Sequence, residues 1–343
     1  MHIYSDNEIR EILNITKKYE AKTYLYPTMQ LLSNFFLIFI LAYSIYLLSN
    51  KNSYTSFSVI IFLATFLILM FLRNFMVFHD LCHANYFPSK EREQKSWGIN
   101  RWIAIVLDIF YLYPGIKWIN IHSEHHENHG DIDKHDGARS LLNSKEYCEL
   151  CDKNNCMYQN IYDILRNKYV FFTLVPLWTF ILSHIYSFDI IFILKFIIIF
   201  YLITRFFNSR TAIIIFICFY VSAIFGTMLF HLQHSINEPY WEKINNDNDK
   251  MNASLHDSSV LKIHYLLKPF SNGIEYHNVH HLNPGVPSYN IQECYEYLKD
   301  KNILKNNEVD LKVMMEALNH TLFDIDNNKY IDHLQENYKC KYN

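Results

Sequence analysis

The histidines of this 343-residue chain fall into groups whose spacing suits metal ligation. His79 and His83 stand four apart. His122, His125 and His126 read H-x-x-H-H, and so do His277, His280 and His281. On a helix, positions i, i+3 and i+4 share a face, so each triplet is expected to aim its imidazoles at one point. A further pair, His231 and His234, closes a long apolar run. Neutral imidazole is the commonest nitrogen ligand for iron, copper, zinc and nickel. One histidine alone is ordinarily a core or surface residue. Several clusters at ligand spacing point to a polyhistidine site, and eight or more imidazoles exceed what a single ion uses, so more than one metal is expected.

The elements that must position these clusters are membrane helices. The runs Leu31 to Ser49 and Phe57 to Phe78 are each long enough to cross a hydrocarbon core of about 30 Å. The short link between them makes a hairpin, and the second run leads straight into Arg73, His79 and His83 at the membrane surface. Residues 1–30 read as a cytosolic segment, helical, with Pro27 near its end. Trp97 to Tyr113 is apolar but interrupted by Asn100, Arg101 and Asp108 and stopped by Pro114. Charges at its centre argue for an interfacial or re-entrant helix rather than a span. Three more apolar runs follow, at 171–188, 189–207 and 211–230. If all three crossed, His231 and His234 would emerge on the face opposite the first two boxes, and one metal centre cannot be assembled from both sides of a bilayer. The run 171–188, interrupted by Pro176 and His184, is therefore expected not to span. The expected fold is all-α and integral to the membrane: about four transmembrane helices near 31–49, 57–78, 189–207 and 211–230, interfacial helices, and a cytosolic helical cap that holds the metals. The membrane domain covers 31–290, and 291–343 reads as a charged helical cytosolic tail.

Composition narrows the function. Half the residues are hydrophobic and 17% are aromatic, while the net charge is −3 and Lys and Arg do not gather on one face, so nucleic acid is not an expected partner. Seven cysteines form no secreted-disulfide framework. Cys148, Cys151 and Cys156 sit together in a polar loop, as zinc ligands do, but no fourth cysteine is near them in sequence. The first 30 residues lack the apolar core of a signal peptide. A metal transporter would keep its ligands near the bilayer midplane; here the boxes lie at helix ends and in loops, at the water–lipid boundary. Imidazole-rich, carboxylate-poor ligation suits iron that activates oxygen, with open positions for dioxygen and an apolar substrate.

The strings His79-Asp80-Leu81-Cys82-His83, His122-Ser123-Glu124-His125-His126 and His277-Asn278-Val279-His280-His281 resemble the three histidine boxes of membrane fatty acid desaturases. The text after the third box, Leu282 to Asn290, is similar to the bacterial and plastid acyl-lipid branch. So are Gly130-Asp131-Ile132-Asp133, Gln233-His234 and Tyr240-Trp241. The resemblance covers roughly residues 70 to 295. Box spacing alone is shared with related hydroxylases, ketolases and alkane oxygenases; the flanking text selects the desaturases. The first box has Leu81-Cys82 where many relatives have Cys-Gly, which removes no ligand.

The resemblance implies a non-haem di-iron centre, with dioxygen as co-substrate, bound by His79, His83, His122, His125, His126, His234, His277, His280 and His281. His231 and His129 are weaker candidates. Asp80, Asp131 and Asp133 match acidic positions of the family and are expected to hold ligand imidazoles by hydrogen bonds. His184, His256, His264 and His333 are expected to be ordinary histidines that tolerate replacement. The implied substrate is a fatty acyl lipid or thioester in the bilayer. No His-Pro-Gly-Gly motif of a fused haem domain is present, so electrons are expected from a separate small haem protein or ferredoxin. Trp97, Trp102, Trp118, Trp178 and Trp241 are expected at the membrane interface or in the core, or along the acyl path. The rival enzyme reading is a lipid or carotenoid hydroxylase or ketolase of the same fold; the rival from another class is a metal transporter. Lys339 and Lys341 resemble a dilysine retrieval signal, which in a eukaryote implies the endoplasmic reticulum with the active site on the cytosolic face.

Overall fold

A computed structural model describes residues 2–51, 53–94, 96–111, 115–134, 136, 141–151, 155–182, 190–236, 240–304, 308–336 and 338–340. Pro114, His184 and Lys341, which entered the sequence expectations, lie outside the described residues. The chain is mostly helical. Three helices are long and apolar enough to cross a membrane: α2 (Leu25–Ser49), α3 (Tyr54–Cys82) and, later, Ser209–His234. Of the most apolar stretch of each, only 17%, 22% and 11% is buried within the protein. A water-soluble bundle would bury that surface. Here side chains such as Phe36, Phe57, Phe62 and Ile213 point outward, which is stable only where the surroundings are lipid.

The first helix, α1 (Asp6–Thr16), starts at a capping box in which Ser5 and Glu8 satisfy each other's backbone N–H groups. Its buried stripe, Ile9, Ile12 and Ile15, docks on Leu255, Val279 and Leu298. The end of α1 also meets the chain just after the third histidine box, where Asn283 Nδ2 donates to Thr16 Oγ1 (3.0 Å). Pro27 falls in the first turn of α2, where its missing N–H costs no helical hydrogen bond. After α3 come α4 (Ile99–Tyr111), α5 (Gly115–Asn128), α6 (Met157–Arg166), α7 (Lys168–Leu177), α8 (Ile190–Phe206) and α9 (Ser209–His234). Helices α2, α3 and α9 share a core of Ile45, Leu67 and Cys218. Three spans meet the length requirement among the described residues. The fourth expected one, 189–207, is the 17-residue α8, about 25 Å long at 1.5 Å per residue. Its Lys195 pairs with Asp108 of α4, which answers the charge that interrupts α4. The run from 171 continues α7 only through a π-turn, Trp178–Leu182, after Pro176.

Two ends of the bundle are distinct. At one, Asn208 Nδ2 donates to Ser49 Oγ (2.9 Å) and Asn50 Oδ1 (2.8 Å), and Arg210 Nη1 donates to Ser49 O (2.9 Å). The histidines gather at the other. There α10 (Asp247–His256), α11 (His277–Leu282) and α12 (Ser288–Asp300) form a cap with short strands. Strand β1 (Leu142–Asn143) pairs in parallel with β4 (Leu322–Asp324), which pairs antiparallel with β5 (Lys329–Ile331); β2 (Val260–Leu261) pairs in parallel with β3 (Glu308–Val309). Among the described residues of 291–343, helix extends to Asp300 and over Leu311–Ala317. The rest of its regular structure is β, because strands from the middle of the chain offer it edges that a sequence window cannot contain.

Candidate metal centre

Four elements meet at the histidine end. The last turn of α3 carries His79, and His83 caps it. The chain leaves that helix through Ala84 at φ +56°, so α3 stops where its second histidine is delivered. Helix α5 carries the second box and α11 the third, and His234 is the last residue of α9.

These histidines form two pockets. In one, ligand atoms of His79, His83, His122 and His280 lie within 4.8 Å of one another. His126 joins them, with its Nε2 3.2 Å from His122 Nε2 and 3.1 Å from His280 Nε2. In the other, His125, His234, His277 and His281 gather within 4.8 Å. There His277 Nε2 stands 3.0 Å from His234 Nε2 and 2.9 Å from His281 Nε2. The H-x-x-H-H triplets do not each aim at one point. Residues i and i+4 go to one pocket and i+3 to the other, because i+3 and i+4 point about 100° apart on a 3.6-residue helix. The pockets therefore adjoin, with the rings of His126 and His281 stacked at 4.3 Å.

The donor set fits metal ions. A neutral imidazole has one N–H and one lone pair, so His122 Nε2, which faces both His79 Nε2 (3.0 Å) and His126 Nε2, cannot satisfy both by donating. His83 Nε2 and His125 Nε2 are buried with no hydrogen-bond partner among the described residues. Converging lone pairs with no proton to share are what a cation satisfies. Burial, reinforced by neighbouring imidazoles, pushes His83, His122, His126, His277, His280 and His281 well below the usual histidine pKa. They stay neutral, the form that ligates.

The outer nitrogens fix ring orientation. Asp80 Oδ1 accepts from His79 Nδ1 (3.3 Å), and its Oδ2 accepts from the backbone N–H of Ser288 (2.7 Å). One carboxylate thus ties the first box to the chain that follows the third. His125 Nδ1 donates to Asp136 Oδ2 (2.7 Å), and His234 Nδ1 to the carbonyl of Asp257 (3.3 Å). Asp136 was not anticipated, although the acidic run after the second box was its signal. Asp131 and Asp133 have other partners. Asp131 Oδ1 accepts from Asp133 N (3.1 Å) and its Oδ2 sits 3.5 Å from Lys134 Nζ, while Asp133 pairs with Lys243 (3.0 Å) at the surface. Gly130 and Ile132 instead exchange backbone hydrogen bonds with Glu242, so Gly130-Asp131-Ile132-Asp133 and Tyr240-Trp241 are two sides of one joint. Gly130 has φ +76°, and a Cβ there would lie 2.7 Å from Ala253 Cβ. Gln233 donates to the carbonyl of Ile274 (2.8 Å), just before the third box.

The remaining candidates are also placed. His231 turns away from both pockets, its Nε2 3.0 Å from the carbonyl of Ala317 and its ring between Phe171 and Phe172. His129 flanks the second pocket, 4.2 Å from the His281 ring. Trp118 is buried and stacks on His122 at 4.2 Å, and Trp241 is buried on Phe323, whereas Trp97, Trp102 and Trp178 are exposed. His264 is exposed. His256 and His333, expected to tolerate replacement, are bonded within the cap: His256 to the carbonyl of His2 (2.7 Å), and His333 to Asp163 (2.8 Å) and Thr321 (2.7 Å).

The sequence profile of a family described as "Fatty acid desaturase" matches residues 55–307, a stretch that contains all nine pocket histidines. A "Fatty acid desaturase" of Bacillus subtilis (strain 168) is 26% identical over 321 residues, covering 88% of this chain and 84% of the relative.

Proposed function

The chain belongs to the fatty acid desaturase family, and from that premise we propose that it inserts a cis double bond into a fatty acyl chain, with two irons held by nine histidines. His79, His83, His122, His126 and His280 hold one ion; His125, His234, His277 and His281 hold the other. When bound, the irons supply the oxygen-derived oxidant that unactivated C–H bonds require. The overall change takes one –CH2–CH2– unit, O2, two electrons and two protons to a cis –CH=CH– unit and two waters. Electrons come from a separate small haem protein or ferredoxin, and the acyl chain arrives as a lipid or thioester. Asp80 and Asp136 hold ligand rings in position, and Trp118 covers the His122 ring and keeps water from that side of the pocket. The histidine end faces the cytosol, in a eukaryotic cell from the endoplasmic reticulum.

The observation that carries this reading is the pair of adjoining pockets of converging imidazoles at one end of helices whose flanks are apolar and outward-facing. Such a centre can reach an acyl chain without the chain leaving the bilayer. The test is expression in a host with simple saturated fatty acids, followed by mass spectrometry that locates any new double bond. A product two hydrogens lighter is expected, formed only with oxygen present. A product that gains oxygen would replace this reading with a hydroxylase or ketolase.

A further inference from the structure

Four of the seven cysteines come together in the cap, outside the histidine pockets. Cys148 lies in the helix Ser144–Glu149, Cys151 and Cys156 follow within eight residues, and Cys340 arrives from near the end of the chain. Cys148 and Cys340 are joined with Cα atoms 5.6 Å apart, and Cys151 and Cys156 with Cα atoms 4.1 Å apart. Cys151 N donates to the carbonyl of Cys148 (3.2 Å), so the C-x-x-C segment is a single tight turn. Gln159 Nε2 points at Cys340 Sγ (3.6 Å). The other three cysteines, Cys82, Cys218 and Cys294, are buried thiols elsewhere.

We propose that Cys148, Cys151, Cys156 and Cys340 form a tetrathiolate zinc site, of which the disulfide-paired arrangement is the oxidised, metal-free form. Four sulfurs are the closed tetrahedral donor set of structural zinc, and C-x2-C in a turn is the ligand spacing such sites use. The sequence shows three ligands; the fold supplies the fourth from 192 residues away. The location explains the need. The sheet beside it has strands of two or three residues, and its apolar core is small: Tyr147, Cys148, Leu322 and Ile331. A metal staple would tie this small core to the end of the chain. On the histidine face a staple made of disulfides would meet the cytosolic thiol pool and be reduced. That step rests on the reading above that this face is cytosolic. Reduction of both disulfides by a cytosolic dithiol takes four electrons and four protons and yields four thiols. Binding of Zn2+ to the four sulfurs then releases four protons to water.

The test uses the full-length protein in detergent, purified anaerobically with a thiol reductant and titrated with Co2+. Cobalt held by four thiolates gives an intense sulfur-to-metal charge-transfer band, which histidine pockets cannot give. The band is expected in the wild type, to be lost on adding Zn2+, and to be abolished in Cys340→Ser but not in Cys294→Ser. It is also expected in the His280→Ala/His281→Ala double variant, which disables the histidine pockets, so failure of the desaturase reading leaves this result intact. Zinc analysis should then fall by one atom per chain from wild type to Cys340→Ser. Where Cys340→Ser does not fold, protection of the four cysteines from alkylation by Zn2+ in the wild type gives the same answer. Absence of the thiolate band in reduced wild-type protein overturns the proposal. So does recovery of both disulfides intact from cells whose thiols are blocked at lysis.

Discussion

His125 and His126 are adjacent in sequence but serve different pockets, and the same is true of His280 and His281. Four residues thus knit two sites together, and loss of one of them should disturb both. The sharper contrast is between His231 and His234, one helical turn apart on α9. His234→Ala should remove a ligand and with it both metal and activity. His231→Ala should retain metal and lower stability by about 1–3 kcal/mol, the usual cost of stranding a buried acceptor, here the carbonyl of Ala317. Metal analysis and thermal melting of the two variants check this, and loss of metal in His231→Ala alone would reverse the assignment. At Asp136 the expected effect is on orientation. Asp136→Asn keeps the size but weakens the bond to His125 Nδ1, and metal affinity should fall about 10–100-fold. An unchanged metal titration would leave Asp136 without that role.

At the scale of elements, the pockets depend on parts that carry no ligand. Helix α1 packs on α10 and α12, which flank α11 in one shared core, so Ile12→Ala should cost about 2–5 kcal/mol, as buried large-to-small changes do. Because α11 carries the third box, that variant should also release metal at a lower temperature than the wild type. A melting shift without earlier metal release would show that α1 stabilises the cap but not the site. Gly130 ends the turn after α5 at φ +76° and abuts Ala253. Gly130→Ala should cost at least about 1 kcal/mol from left-handed backbone strain alone, with the added contact raising it. A melting temperature equal to the wild type would mean that the joint with Glu242 yields easily.

For the whole molecule, acid should be destabilising. Six pocket histidines have pKa values well below 6.5 because of burial. The unfolded chain binds protons at these residues as pH falls through 6.5, while the folded chain does not. Stability is therefore fully present above that pH and is lost progressively below it. Protons also compete with metal for the same lone pairs, so metal loss should follow the same direction. Thermal melting and metal content measured from neutral to acid pH test this, and stability that is flat or rising below 6.5 would contradict it. The two ends of the bundle make a further expectation. Probes at Asn50 and Asn208 should label from the side of the membrane opposite to probes on the cap at His264. Labelling of all three from one side would refute the arrangement.

Apolar run length and histidine spacing pointed to the membrane class and to the eight box histidines, because lipid solvation and ligand geometry are local demands visible within a few turns of helix. The choice of His234 over His231 came from the resemblance of Gln233-His234 to the family. The charge inside the run 97–113 was less legible: Asp108 stands alone in that run until its partner, Lys195, is brought to it from α8. Four things were decided only by the tertiary structure. They are the division of each triplet between two pockets, the use of Asp136 rather than Asp131 or Asp133 on a ligand ring, the β-structure of the C-terminal region, and the arrival of Cys340 beside Cys148. Each depends on which distant segment arrives at a given surface. That is fixed by packing across the whole chain, not by the pattern of any stretch of it.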